Sequence, residues 1–158
     1  MAVNTRSVRE RRDLRFESLQ LVLVDAELLV HASNVSMLGN RPLDGLLNHL
    51  AMAIEGSLDG ISFKTPWYMR LVGPLFKKRF TTKKMPAGFN LPRSVDEIYF
   101  PSSATAVEAF ERLKRAIERT QTQPMESKHP ILGSLTHDEW TKLHLRHAEL
   151  HLSFARAD

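Results

Sequence analysis

The sequence predicts an all-α protein, a four-helix bundle with a long crossover segment, and three observations lead to this class. Four stretches carry apolar residues at helical spacing and are longer than typical strands. No stretch alternates apolar and polar residues well enough to predict a strand. The connection between the second and third helical stretches is too long for a tight hairpin, which allows a crossover in place of up-and-down winding. The length of 158 residues is typical of one domain.

The first two helices are predicted within the first 60 residues. Residues 1–12 are polar and rich in arginine, so we expect a loose basic lead-in before a single domain over residues 13–158. Apolar residues dominate from Leu14 to about His31 without a glycine or proline, which predicts the first helix. The second helix is predicted to begin near Pro42, because a proline is tolerated in a first helical turn. Its apolar stripe consists of Leu43, Leu46, Leu47, Leu50, Ala53 and Ile54.

The third and fourth helices follow a proline-rich stretch. A short helix is predicted from about Pro66 to Phe80, and then a long irregular segment that is a candidate lid or dimer element. The third long helix is predicted after Pro101, with Ser102 or Ser103 as its N-cap. The last helix has the clearest start, since Thr136-His-Asp-Glu139 matches the capping box.

Composition and charge exclude several classes of function. Cysteine is absent, which excludes disulfides, thiolate metal sites and cysteine nucleophiles and agrees with a cytoplasmic location. No apolar run is long enough for a membrane span, and the first residues lack the apolar core of a secretory signal. The net charge is +4, with the excess in the lead-in and in residues 77–84. Neither cluster carries the interleaved aromatic residues of a nucleic-acid-binding module, so we expect a solvated tail and a solvated loop.

Three histidines lie on one face of the last predicted helix. His144, His147 and His151 are spaced by three and four residues, and at about 100° per residue they project within a narrow arc. Several imidazoles buried without partners would be costly, whereas metal ligation would satisfy them together. Imidazole is a ligand for Zn, Ni, Fe and Cu. We interpret this face as half of a metal site, in which His147 and His151, one turn apart, can bind the same ion.

His49 is the best candidate for a ligand from another helix. It lies beside Leu46, Leu47 and Leu50, on or next to the core stripe of the second helix. A single histidine in such a place is usually a hydrogen-bonded core residue, but opposite a His-x-x-x-His pair it is a credible third ligand. Three histidines would leave coordination positions open to water, as in catalytic sites.

Three groups of residues carry the motifs of a recognisable family. The first is Asn48-His49-Leu50-Ala51 and the second is His129-Pro-Ile-Leu-Gly-Ser-Leu-Thr136. The third is Glu139-Trp140 leading into His144-Leu-Arg-His147-Ala-Glu-Leu-His151, and it is the most specific. Together these motifs resemble the DinB/YfiT-like proteins, in a branch catalogued as a domain of unknown function. The resemblance extends from about Leu14 to the end of the chain.

The resemblance implies an up-down-down-up bundle that is often dimeric. It maps the metal triad of the family onto His49, His147 and His151, with nickel, zinc or iron as the metal. Relatives include metal-dependent hydrolases and transferases that use low-molecular-weight thiols such as bacillithiol or mycothiol. His144 lies outside the triad and is the candidate catalytic residue, as a general base; a supporting group behind a ligand and an alternative ligand are the other roles.

Two functions follow as hypotheses. The first is a metal-dependent enzyme, a hydrolase or thiol transferase, that presents a metal-bound water or thiol to a small-molecule substrate. The alternative is a non-catalytic metal-containing bundle that acts as a small-molecule sensor or interaction module. Glu149 could move a proton in the first case, but we expect it to be a surface residue. Packing is the expected role of Trp67, Tyr68, Phe89 and Tyr99, with the substrate pocket as the alternative.

Overall fold

The structure is a computed structural model that describes residues 3–62, 65–88 and 98–157, and it is mostly helical, as the sequence predicts. The longer helices in these ranges are α1 (Leu19–His31), α2 (Leu43–Asp59), α5 (Ala106–Thr120) and α6 (His137–Leu152). Between α2 and α5 the described residues include two short helices, α3 (Trp67–Val72) and α4 (Lys77–Thr82), joined by a 3₁₀ turn over Gly73–Phe76. No helix in the described ranges is both long and apolar enough to cross a membrane.

Side-chain caps mark the starts of α1, α5 and α6, whereas α2 begins after Pro42 without one. The first helix starts at Leu19 instead of Leu14, because Ser18 is extended and its hydroxyl accepts the N–H of Leu21. The N-cap of α5 is Thr105, which accepts the N–H of Glu108, so the prediction of Ser102 or Ser103 was wrong. The capping box at the start of α6 is confirmed, with both reciprocal hydrogen bonds present.

The stretch predicted as one helix over 66–80 is divided. The 3₁₀ turn separates α3 from α4, and Pro74 lies at its start. A proline lacks the N–H of a continuous helix and its ring clashes with the preceding turn. The irregular segment predicted after this helix is described as far as Gly88, and residues 89–97, including Phe89, lie outside the described residues.

A small antiparallel sheet corrects the prediction that the chain has no strand. Strands β1 (Val35–Met37) and β2 (Ala155–Ala157) pair in the register Val35↔Ala157, Ser36↔Arg156 and Met37↔Ala155. Three residues are too few for a period-two pattern to be recognised, and the partners are far apart in the chain. The sheet joins the residues just before α2 to those just after α6.

Two clusters of buried apolar residues form the core. The larger is made by α1, α2, α5 and α6, and includes fully buried Leu47, Leu113 and Leu152. The smaller lies beneath the loop before α6 and is centred on Trp140, with Met125 and Leu143. Residues of the smaller cluster, among them Leu132 and Leu143, also line a cavity beside α2 and α6.

The opposite side of α6 holds a buried ion pair, which corrects the expectation that Glu149 is a surface residue. Arg146 and Glu149 lie 2.6 Å apart, with side chains only 5% and 4% exposed. Both also bind the backbone of Phe16, whose N–H donates to Glu149 and whose carbonyl oxygen accepts from Arg146. The segment before α1 is therefore attached to α6 through a charged pair.

Candidate metal centre

The packing of α2 against α6 brings His49, His147 and His151 together. The Nε2 atom of His147 lies 3.0 Å from that of His49 and 3.0 Å from that of His151. One nitrogen from each ring can be chosen so that all three lie within 4.8 Å of one another. The three residues that the sequence singles out as ligands are thus close enough that they could bind a metal.

A backbone carbonyl sets the tautomer of His49. Its Nδ1 lies 2.7 Å from the carbonyl oxygen of Tyr99, which can only accept, so Nδ1 carries the proton. The Nε2 atom of His49 therefore presents a lone pair to the other two rings. Phe100 stacks on the His49 ring with 4.1 Å between centroids, and this fixes the orientation of the ring. Such a carbonyl partner behind the ring is typical of histidines that bind metals.

Hydrogen bonds among the three rings cannot satisfy all of them. The Nε2 atom of His147 carries either one proton or one lone pair, yet it faces two Nε2 atoms at 3.0 Å. Because His49 presents a lone pair, at most one of these two contacts is a good hydrogen bond. A cation that accepts all three lone pairs would remove this conflict.

Burial keeps the three imidazoles neutral, which is the form that binds a metal. It lowers the pKa of His49 to about 4, and the pKa values of His147 and His151 well below their usual range. Repulsion between the rings adds to this effect for His147 and His151. The rings are partly accessible because they face a cavity, although they lie deep between the helices.

Two of the three distances within the cluster suit a transition metal. Two nitrogens bound to one ion at about 2.0–2.1 Å lie about 2.8–3.4 Å apart, for angles from 90° to tetrahedral. The two 3.0 Å contacts fall within this range. A set of neutral imidazoles favours Zn, Ni, Fe or Cu over Mg or Ca, which prefer oxygen.

The cluster lies in the wall of a cavity of about 970 Å³. Most of the side chains around it are apolar, among them Leu46, Phe80 and Trp140. Arg41 is the one permanently charged residue among the described residues that line it, and its guanidinium carbon lies 4.8 Å from the centre of the Phe100 ring. A space of this size and character suits an apolar small molecule.

His144 also lines the cavity but is not part of the cluster. Its Nε2 lies 3.0 Å from the hydroxyl of Ser57, and that hydroxyl donates to the carbonyl of Ile54 at 2.6 Å. Since the Ser57 proton is used in this way, His144 donates from Nε2. The ring also stacks on Trp140, and burial lowers the pKa of His144 to about 3.

The cavity includes residues to which sequence reasoning assigned no role or a different one. His129 lines it and lies against Trp140, although it stood in the family-like motif without a function. Tyr99 lines the cavity too, whereas Trp67 and Tyr68 are exposed and neither line it nor pack into the core. The run His129-Pro130 before a capped helix was the available signal, because it places an imidazole in a loop beside the last helix.

Fold and site together define a mostly helical protein with a three-histidine cluster in the wall of an apolar cavity. The family described as "Protein of unknown function (DUF1569)" matches residues 8–158, and the chain belongs to this family. The match includes all three histidines of the cluster. No curated protein and no solved structure matches the chain.

Proposed function

We propose that the protein is a metal-dependent enzyme, a hydrolase or a transferase of low-molecular-weight thiols, with His49, His147 and His151 as the ligands. The observation that carries the proposal is the convergence of three Nε2 atoms. Hydrogen bonds between the rings cannot satisfy all of these contacts. The cavity supports it, because the ligands face open space in which further coordination positions are accessible. Nickel, zinc or iron is the proposed metal.

The metal would hold a water or a thiol and lower its pKa toward neutrality. The residues of the chain supply the remaining functions. The apolar walls bind the body of the substrate and limit the access of water. The carbonyl of Tyr99 holds His49 in the ligating tautomer. Among the roles considered for His144, its bond to Ser57 and its stacking on Trp140 favour a positioning role.

The wider assignment belongs to the same proposal. We place the family among the DinB/YfiT-like proteins, with α1, α2, α5 and α6 as an up-down-down-up four-helix bundle. The shared arrangement of one histidine from the second long helix and a His-x-x-x-His pair from the last supports this. The expected context is a cytoplasmic homodimer that acts on a small-molecule substrate, with a low-molecular-weight thiol as one candidate.

Metal content tests the ligand assignment. His147→Ala removes the central nitrogen, and we expect it to abolish the stoichiometric metal measured by mass spectrometry while circular dichroism stays helical. The matched control is His31→Ala, which removes an exposed histidine at the end of α1 and should keep the full metal content. Full metal retention by His147→Ala would contradict the assignment.

Activity separates the enzyme from the alternative. The metal-loaded protein is tested for hydrolysis of p-nitrophenyl acetate and for conjugation of bacillithiol or mycothiol to 1-chloro-2,4-dinitrobenzene. We expect one of these activities and an exchangeable water on the metal. His147→Ala should lose the activity and the metal-bound water. A protein that is isolated without metal and is fully stable would favour the sensor or interaction module instead.

A further inference from the structure

We propose that His129 forms a second binding subsite in the cavity, a fixed N–H donor for an oxygen acceptor on an otherwise apolar ligand. The subsite indicates the substrate class of the proposed enzyme. It rests on the proposed function in one respect, that this cavity is the substrate site. The ligand chemistry is a carbonyl, ester or carboxylate attached to an aromatic or aliphatic body. Its experiment is independent of metal ligation.

The backbone of the loop fixes the tautomer of His129. The Nδ1 atom accepts two hydrogen bonds, from the N–H of Ile131 at 3.1 Å and from the N–H of Leu132 at 3.0 Å. Both partners are donors, so Nδ1 must carry a lone pair, and in the neutral ring the proton is on Nε2. Burial lowers the pKa of His129 to about 4, which keeps the ring neutral at pH 7.

The loop around His129 is built to hold the ring in place. The N–H and carbonyl of His129 both bond to Gly133, at 2.9 and 3.0 Å, and Gly133 has a φ of 77° that favours glycine. Gly73 lies so close that a Cβ there would meet the carbonyl oxygen of Ile131 at 2.1 Å. The ring itself lies 5.5 Å from Trp140, between centroids. The donor is thus held rigidly before any ligand arrives.

The proton on Nε2 is available to a molecule in the cavity. Within the part of the chain that the structure describes, every hydrogen bond of the His129 side chain is made by Nδ1. His129 lines the cavity, and Nε2 is not among the enclosed polar atoms that lack a partner. An N–H on an apolar wall gains most from an acceptor that enters with its own apolar body, because little water competes there.

The electrostatics of the wall narrow the ligand class. No carboxylate is among the described residues that line the cavity, and the permanent charge of Arg41 is positive. The described lining therefore offers a cationic ligand no carboxylate to pair with, whereas the Nε2–H of His129 can donate to a neutral carbonyl or to an anionic carboxylate. The fixed donor excludes ligands that present only an N–H group to His129, because such a group cannot accept a hydrogen bond.

Two substitutions separate the donor from the scaffold. In His129→Asn the Oδ1 atom takes the place of Nδ1, so the loop keeps its acceptor while the distal donor is removed. In His129→Gln the distal N–H is retained and the acceptor near the loop is lost. The probes are acetophenone, which has an oxygen acceptor, and ethylbenzene, a near-isostere without one. Their affinities are measured by calorimetry on the zinc-loaded and the zinc-free protein.

The native protein should bind acetophenone more tightly than ethylbenzene. His129→Asn should weaken acetophenone by about 2- to 12-fold, the contribution of one hydrogen bond, and leave ethylbenzene unchanged. His129→Gln should keep the preference for acetophenone at lower thermal stability. Nitrogen-15 NMR at pH 7 should show the Nε2–H tautomer of His129 in the native protein.

Three results would overturn the subsite. They are equal affinities of the native protein for the two probes, an equal loss of both in His129→Asn, and an Nδ1–H tautomer. Metal content is measured on the same samples, so the test of the metal site and the test of the subsite can fail independently of each other. A protein without metal that still discriminates the probes keeps the subsite and loses the enzyme, and the reverse result loses the subsite alone.

Discussion

Replacing Glu149 by glutamine should destabilise the fold strongly without changing the metal site. Its Oε1 atom lies 2.6 Å from Arg146 and 2.7 Å from the N–H of Phe16. Glutamine keeps an oxygen that can accept from Phe16 but removes the negative charge. The guanidinium of Arg146, 5% exposed, would then be a buried cation without its anion.

The expected cost follows from that burial. Breaking a buried ion pair by removing one partner costs about 3–5 kcal/mol, because the other charge stays desolvated. For a chain of this length each kcal/mol lowers the melting temperature by about 2–4 °C, so the shift should be about 6–20 °C. Urea unfolding followed by circular dichroism gives the free energy of unfolding, and a thermal scan gives the shift.

A matched control lies on the same helix. Asp138 and Lys142 form an exposed pair one turn apart, with the Asp138 side chain 71% exposed. Asp138→Asn should lower the free energy of unfolding by no more than about 1 kcal/mol, because solvent screens the exposed charges. A loss in Glu149→Gln as small as in this control would refute the buried-pair argument.

A second substitution tests the cause directly. Adding Arg146→Met to Glu149→Gln removes the orphaned charge, and part of the stability should return although the bond to the Phe16 carbonyl is lost. The free energy of unfolding is compared with that of each single variant, Glu149→Gln and Arg146→Met. If the loss in the double variant equals the sum of the two single losses, the reasoning is wrong. Metal content should stay at the native level throughout, because residue 149 lies about 200° around the helix from His147 and from His151.

Two further predictions concern the loop before α6 and the histidines. Gly73→Ala should lower the melting temperature and broaden the NMR signal of the His129 ring, because the added Cβ would displace the carbonyl of Ile131; unchanged values would contradict this contact. Acidification of the metal-free protein should lower its free energy of unfolding as the pH falls from about 6.5 toward 4. Folding lowers the pKa of His49 and His129 to about 4 and that of His144 to about 3, so the unfolded chain binds more protons in this window. Each contributes a slope of up to about 1.4 kcal/mol per pH unit in urea titrations, and a flat profile between pH 5 and 6.5 would contradict their burial.

Local patterns were sufficient for much of the helical structure. The capping box at Thr136 and Glu139 is a property of four consecutive residues, so it could be recognised in the sequence and is present. The end of α2 near Gly60 and the apolar stripe of that helix are likewise local. The mostly helical class followed from these patterns.

Features that depend on distant partners could not be predicted. The first helix begins after the Ser18 cap, and the residues before it, which the sequence assigned to the helix, include Phe16, whose backbone binds Arg146 and Glu149 about 130 residues away. The sheet was missed because each strand has three residues and its partner lies at the other end of the chain. Glu149 was predicted to be a surface residue for the same reason. Its buried charge is stabilised by neighbours in space, which the local sequence does not show.

The site was partly predictable because helical geometry is regular. The spacing of His147 and His151 determines that they share a face, and His49 stood on an apolar stripe. The hydrogen bond to Tyr99 and the separation of His144 from the cluster depend on loop and helix packing, which no spacing rule contains. The role of His129 required the loop hydrogen bonds as well.

The small sheet has a mechanical consequence for the cluster. Strand β1 lies just before the helix that carries His49, and β2 begins four residues after His151, so three paired positions connect the two halves of the site. Sliding of α6 along its axis would require these pairs to shift by whole residues, in steps of about 3.4 Å. The helix α6 therefore cannot slide by small amounts along its axis. The motions that remain easy for the cluster are rotations of the imidazole rings and small changes in the separation of α2 and α6.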